Sequence, residues 1–257
     1  FFVTTFIFQV VIQYTLPFRT VLWAMWYRAL NNGKFGEVEV TKSRKLSAKK
    51  PSEKLMQSSN KKYSSKKIER NITGAQAANY LLQKNDVTGV TVKPISGSLT
   101  DNFNPTDMTL NLSEPVYNVS SIAAVGVAAH ETGHAIQHNK GYLPIKFRSM
   151  LVPVANLGSS AGPLLAILGL TLSFSFLVDI GLILFFGSVL FYLVTLPVEF
   201  NASSRALKTL KEAGVMNKEE LKGVKKVLGA AAMTYVASAL VSLGNFIRFF
   251  LLTKRRD

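Results

Sequence analysis

Cysteine is absent from the chain, so disulfides and thiolate ligands are excluded. Any metal site must be built from histidine and carboxylate. Both are scarce. Asp and Glu number 15 against 30 Lys and Arg, and there are only three histidines. The formal net charge is +15 over 257 residues, which leaves few carboxylates to share between structure and chemistry. The positive charge is not evenly spread. Lys34, Lys42, Arg44, Lys45, Lys49, Lys50, Lys54, Lys61, Lys62, Lys66, Lys67 and Arg70 crowd one stretch. No nucleic-acid module accompanies them. Beside apolar segments, such a stretch reads as a flank that orients the chain in a membrane, and no nucleic-acid partner is expected.

All three histidines fall within nine residues, His130-Glu131-Thr132-Gly133-His134-Ala135-Ile136-Gln137-His138. The first five complete an HExxH pattern. Residues four apart lie on one helix face, a turn from each other. His130 and His134 so placed can grip one Zn²⁺, and Glu131 can act as general base toward water there. Ser120-Ser121 supplies a start signal, and the small apolar run 122–129 carries the motif into a buried helix. Burying an unpaired Glu131 there without a task would be costly. His138 lies eight residues after His130, about 12 Å along a straight helix. Zinc–nitrogen bonds are only about 2.0–2.1 Å. His138 is therefore read as supporting or structural, and a third ligand is sought elsewhere.

The best candidate is Glu199, the first acid after the apolar run ending Thr195-Leu196-Pro197. Its bland alternative is a carboxylate at a membrane boundary. Two histidines and a later glutamate form a catalytic zinc set with the fourth position open.

The chain divides into six expected segments. Residues 1–30 read as an aromatic-bounded membrane span, with a signal sequence as the alternative. The chain begins at Phe1 rather than methionine, so the natural start is read as missing or removed upstream. Residues 31–70 read as a flexible or weakly helical basic linker, with 55–63 able to continue as helix. Residues 71–148 form a soluble unit. In it, Thr73 and Gln76 predict a capping box for a helix reaching about Lys84. Strands are predicted at 90–95 and 108–113, with a turn at 101–107. Residues 149–198 form a transmembrane hairpin, with spans at 151–172 and 176–196. A charged helical segment carrying the third ligand fills 199–226. An apolar helix with a basic tail fills 227–257. The fold class is an α+β membrane protein, mostly helical: a zincin-like minimal HExxH unit with a small sheet and about four transmembrane helices.

Basic loops at 31–70, 140–148 and 205–226 place the active site at the cytoplasmic face of a multi-pass cell-membrane protein. HExxH precedes the hairpin and Glu199 leaves it, so both lie at one face. Four full spans would leave the basic C-terminus outside. Either the last helix stops short of crossing, or three loops outweigh one tail.

These residues bring a resemblance into view. The stretches 72–75, 99–101, 127–138, 151–156, 196–203 and 230–237 make the chain similar to the YugP-like family of neutral zinc metallopeptidases of bacterial membranes. Residues 31–59 depart from the family pattern. The resemblance implies a membrane-embedded zinc protease, distantly like the HtpX-type and prenyl-protein proteases. Those pair HExxH with an ExxAD whose glutamate is the third ligand and whose aspartate orients a ligand histidine. Here Glu199-Phe200-Asn201-Ala202-Ser203 matches except at Ser203, a weaker and neutral acceptor.

The expected activity is hydrolysis of peptide bonds in a peptide or membrane-protein substrate, with Zn²⁺ held by His130, His134 and Glu199 and Glu131 as catalytic base. The strand near Leu110 is expected to hold the substrate by edge pairing. Tyr142 and Arg205 are candidate oxyanion donors. The alternative is a non-catalytic membrane scaffold that retains zinc. A site-2 type intramembrane protease is disfavoured, because Asp179 lacks the Asp-Gly setting that chemistry uses.

Overall fold

A computed structural model describes residues 49–254. The expected first span and most of the basic linker lie outside the described residues. The fold is mostly helical with one small sheet, an α+β arrangement.

Helix α1 (Lys49–Ser64) starts well before the predicted helical part of the linker. Its C-terminal Tyr63 is buried, which anchors an otherwise polar helix. Helix α2 (Gly74–Lys84) opens on the predicted capping box: Gln76 N–H donates to Thr73 Oγ1, and Thr73 N–H donates to the Gln76 side chain. Its alanines and leucines, from Ala75 to Leu82, form the buried face.

Strands β1 (Thr91–Ile95) and β3 (Thr109–Ser113) match the predicted runs and pair in parallel. A third strand, β2 (Asn102–Asn104), sits where only a turn is predicted and pairs antiparallel with β3. The sheet order is β1-β3-β2, so β3 is central. A short helix α3 (Glu114–Tyr117) leads to α4 (Ile122–Asn139), the HExxH helix. Ser121 caps α4 by accepting from Ala124 N–H at 3.2 Å. One side of α4 packs on α2 and the sheet through Leu110, Leu112, Ala124, Ala128 and Ile136. The other side joins a second cluster, in which Val125 and Ala129 meet Leu81, Ala206, Leu210 and Val224.

Three long helices follow: α5 (Leu143–Leu172), α6 (Ser175–Ala213) and α7 (Lys218–Lys254). All three are long and apolar enough to cross a membrane. Helix α6 runs through Pro197 and carries Glu199 well inside a continuous helix. Gly214, at φ 63°, ends it, and Asn217 and Glu220 cap α7 reciprocally.

The chain forms two compact units. One holds 49–152 and 189–245, including the sheet and the HExxH helix. The other holds 153–188 and 246–254. Within the second, the α5 and α6 legs meet through small residues. A Cβ on Gly162 would lie 2.8 Å from Phe185 N, and one on Gly169 2.6 Å from Val178 N. Cβ atoms on Gly158 and Gly181 would run into Leu184 O and Ala166 N. Backbone-to-backbone contact of this kind is how apolar helices associate where lipid offers no hydrophobic drive. Phe185, Phe246 and Phe249 stack edge to face beside the seam.

Candidate metal centre

Four-residue spacing on α4 stacks the His130 and His134 rings edge to face, with centroids 4.8 Å apart. From α6, Glu199 points in at only 2% exposure. Its Oε2 lies 3.2 Å from His130 Nε2 and 3.6 Å from His134 Nε2. The three ligand atoms all fall within 4.8 Å of one another. Ligands about 2.05 Å from a tetrahedral zinc are spaced roughly 3.3 Å apart, so the donor set and its spacing both fit that ion.

Two features bring α4 and α6 this close. Gly133 removes the side chain where the helices touch, since a Cβ there would lie 2.6 Å from Ala202 O. Gln137, fully buried, then links them. Its amide donates to Val198 O at 2.8 Å and to Asn201 Oδ1 at 3.0 Å. Those two acceptors orient the amide, so its oxygen faces His134 Nδ1 at 3.0 Å. Nδ1 must then carry the proton, leaving Nε2 free for a metal. Ser203 Oγ stands 3.2 Å from His130 Nδ1, where the resemblance places an aspartate. Both rings are thereby held with Nε2 toward Glu199.

Burial pulls the His134 pKa down, but hydrogen bonds to Glu199 and Gln137 and the charges of Glu131 and Glu199 outweigh it. The net result is a pKa above the usual histidine value. Protons therefore compete for this nitrogen in the metal-free protein.

Glu131 is held from the sheet, where its Oε2 accepts the Phe103 N–H at 3.1 Å. His138 points elsewhere, as helix geometry requires. Its ring packs on Phe103 with centroids 5.7 Å apart.

One expectation needs correction. The strand near Leu110 cannot receive a substrate edge to edge, because β3 is paired on both sides. The edge nearest the centre is β2, where the outward-facing Phe103 N–H already meets Glu131. The candidate donors Tyr142 and Arg205 stand together beside Asn201. Arg205 Nε donates to Asn201 Oδ1 at 2.7 Å, and its guanidinium lies 5.9 Å from the Tyr142 ring centroid.

Two residues that the sequence did not flag are better placed. Arg148 on α5 brings Nη2 to 3.9 Å from Glu199 Oε1, the oxygen turned away from the histidines. Its guanidinium lies 6.0 Å from the Phe191 ring centroid, and its buried Nε has no hydrogen-bond partner. Tyr235 on α7 is a near neighbour of Glu199, Glu131 and Arg148. No sequence spacing links either residue to HExxH. Gln137 was findable, since position i+3 from His134 lies on the same face.

Residues 50–254 match the family described as "Putative neutral zinc metallopeptidase". The chain is also similar to a protein of Bacillus subtilis (strain 168) named "Putative membrane protease YugP". The two are 46% identical over 191 residues, covering 74% of this chain and 85% of that protein. No solved structure matches.

Proposed function

The chain belongs to this family of neutral zinc metallopeptidases, and from that membership we propose that it is a multi-pass membrane endopeptidase with its active site at the cytoplasmic face. Its substrate is an extended peptide or an unfolded stretch of a membrane protein. The observation that carries the reading is the convergence of His130, His134 and Glu199, with Glu131 on the next position of the same helix. Support for the cytoplasmic side comes from the lysines and arginines at 140–148 and 205–226.

His130, His134 and Glu199 would hold the zinc. When bound, the ion acts as a Lewis acid and lowers the pKa of water to about 7. Glu131 takes the proton of the attacking water and passes it to the leaving amine. Gln137 and Ser203 keep the two imidazoles turned so that Nε2 faces inward. Strand β2, through the Phe103 N–H, holds Glu131 in place for this role. Arg148, with Nη2 3.9 Å from Glu199 Oε1, sets a positive charge at the centre that stabilises the developing oxyanion.

The test uses the full chain in detergent or nanodiscs, loaded with zinc, on an unfolded membrane-protein substrate. Glu131→Gln should keep one zinc per chain and lose about 10²–10⁴-fold in cleavage rate. A Glu131→Gln protein as active as wild type would remove Glu131 from the mechanism. A wild-type protein that binds zinc and cleaves nothing would favour the scaffold reading.

A further inference from the structure

A cavity of about 250 Å³ opens between α1, the segment after β1, and α4. Met56, Leu99 and Val116 form its apolar sides, and Ala124 and Val127 lie on its α4 wall. Asp101 also borders it, but its carboxylate is spent, accepting from both the backbone N–H and the hydroxyl of Ser113. Gln57, Asn60, Ser64 and Ser98 add neutral polar groups, so apart from Asp101 the lining carries no charge.

Two walls connect this cavity to Glu131. The first is α4 itself. At about 100° per residue, Ala124 and Glu131 point within roughly 20° of each other, and Val127 precedes Glu131 by one turn, about 6 Å. The cavity thus occupies the same helix face as the HExxH side chains, one turn upstream. The second wall is the chain from Leu99 to Asp101, which runs directly into β2 and the Phe103 N–H that holds Glu131. Leu99 sits on this wall with φ 61° and 62% exposure. A leucine gains nothing from either condition in isolation, and such positions concentrate where ligands bind.

We propose that this cavity is the subsite that receives an apolar side chain of the substrate, leucine- or phenylalanine-sized, within two residues of the scissile bond. The size follows from volume: an apolar cavity of about 150 Å³ already accepts a benzene ring. The register follows from length, since an extended peptide advances about 3.3 Å per residue and the offset from Glu131 is about 6 Å. Met56 supplies an adaptable wall that fits more than one apolar shape. The proposal rests on the peptidase reading above, and the experiment separates the two.

Zinc-loaded full chain in detergent is incubated with a peptide library varied around each bond, and cleavage sites are read by mass spectrometry. Wild type should cut beside Leu, Phe and Met. Val127→Phe places a ring in the cavity from its floor. It should lower kcat/KM on Leu and Phe peptides by about 10- to 200-fold while Ala and Gly peptides change little. Met56→Ala should shift preference toward larger side chains. Cleavage profiles unchanged in both variants, with zinc content intact, would overturn the subsite. If wild type cleaves no peptide, the peptidase reading fails on its own. A photoactivatable-leucine peptide bound to zinc-loaded Glu131→Gln protein then decides the subsite. Crosslinks at Met56, Leu99 or Val127 support it, and crosslinks elsewhere or none overturn it.

Discussion

Replacing Gly133 by alanine should cost the protein its metal before it costs the fold. The added Cβ would stand 2.6 Å from Ala202 O and 3.2 Å from Ala202 Cα, both backbone atoms that no rotamer change can move. Ordinary contact begins near 3.4 Å, so the helices must part by 3.4 − 2.6, about 0.8 Å. Glu199 lies three residues before Ala202 on α6, and His134 adjoins Gly133 on α4. The parting therefore acts directly on the histidine–glutamate spacing of 3.2 and 3.6 Å. Metal–ligand bonds tolerate about 0.2 Å. Zinc affinity should fall at least tenfold, about 1.4 kcal/mol, while overpacking takes about 1–3 kcal/mol from stability. The assay is competition against a chromogenic chelator, with thermal melting of the metal-free protein alongside. Gly126→Ala is the control, because its Cβ meets the movable Val224 side chain at 3.2 Å. Gly133→Ala protein with zinc affinity within threefold of wild type and unchanged melting would refute the argument.

Other outcomes follow from the same geometry. Gln137→Leu removes the acceptor on His134 and the link to Val198 O, and should weaken zinc about 10–100-fold by chelator competition. Arg148→Met should retain zinc and lose about 10²–10³-fold in kcat, measured on any peptide the wild type cleaves. The His134 pKa is raised in the metal-free fold. Its contribution to stability is therefore complete below the ordinary histidine value of 6.5 and is lost as pH rises through the folded value. Chelator-treated protein should melt at lower temperature as pH climbs past that point. Zinc-loaded protein should instead lose metal as pH falls, because protonated His134 cannot bind it. Melting curves at stepped pH, with and without chelator, check both signs.

HExxH and Glu199 were legible because chemistry restricts residue type and helix geometry restricts spacing. His138 was excluded by the same geometry, and its ring indeed packs on Phe103. The capping box at Thr73 was legible because it is wholly local. Strand β2 was not, since three residues among Asn, Asp and Pro look like a turn until β3 pairs with them. The continuity of α6 was hidden by Pro197, a residue that usually ends helices. Arg148 and Tyr235 come from α5 and α7, and only tertiary packing brings them to Glu199.

The close seam between the two hairpin legs has a genetic corollary. Every single-base change of a glycine codon that alters the residue introduces a bulkier one. At Gly158, Gly162, Gly169 and Gly181 a bulkier one strikes main chain. Those four codons are closed to ordinary drift, whereas exposed neighbours such as Leu164 and Leu168 can wander among apolar alternatives at little penalty.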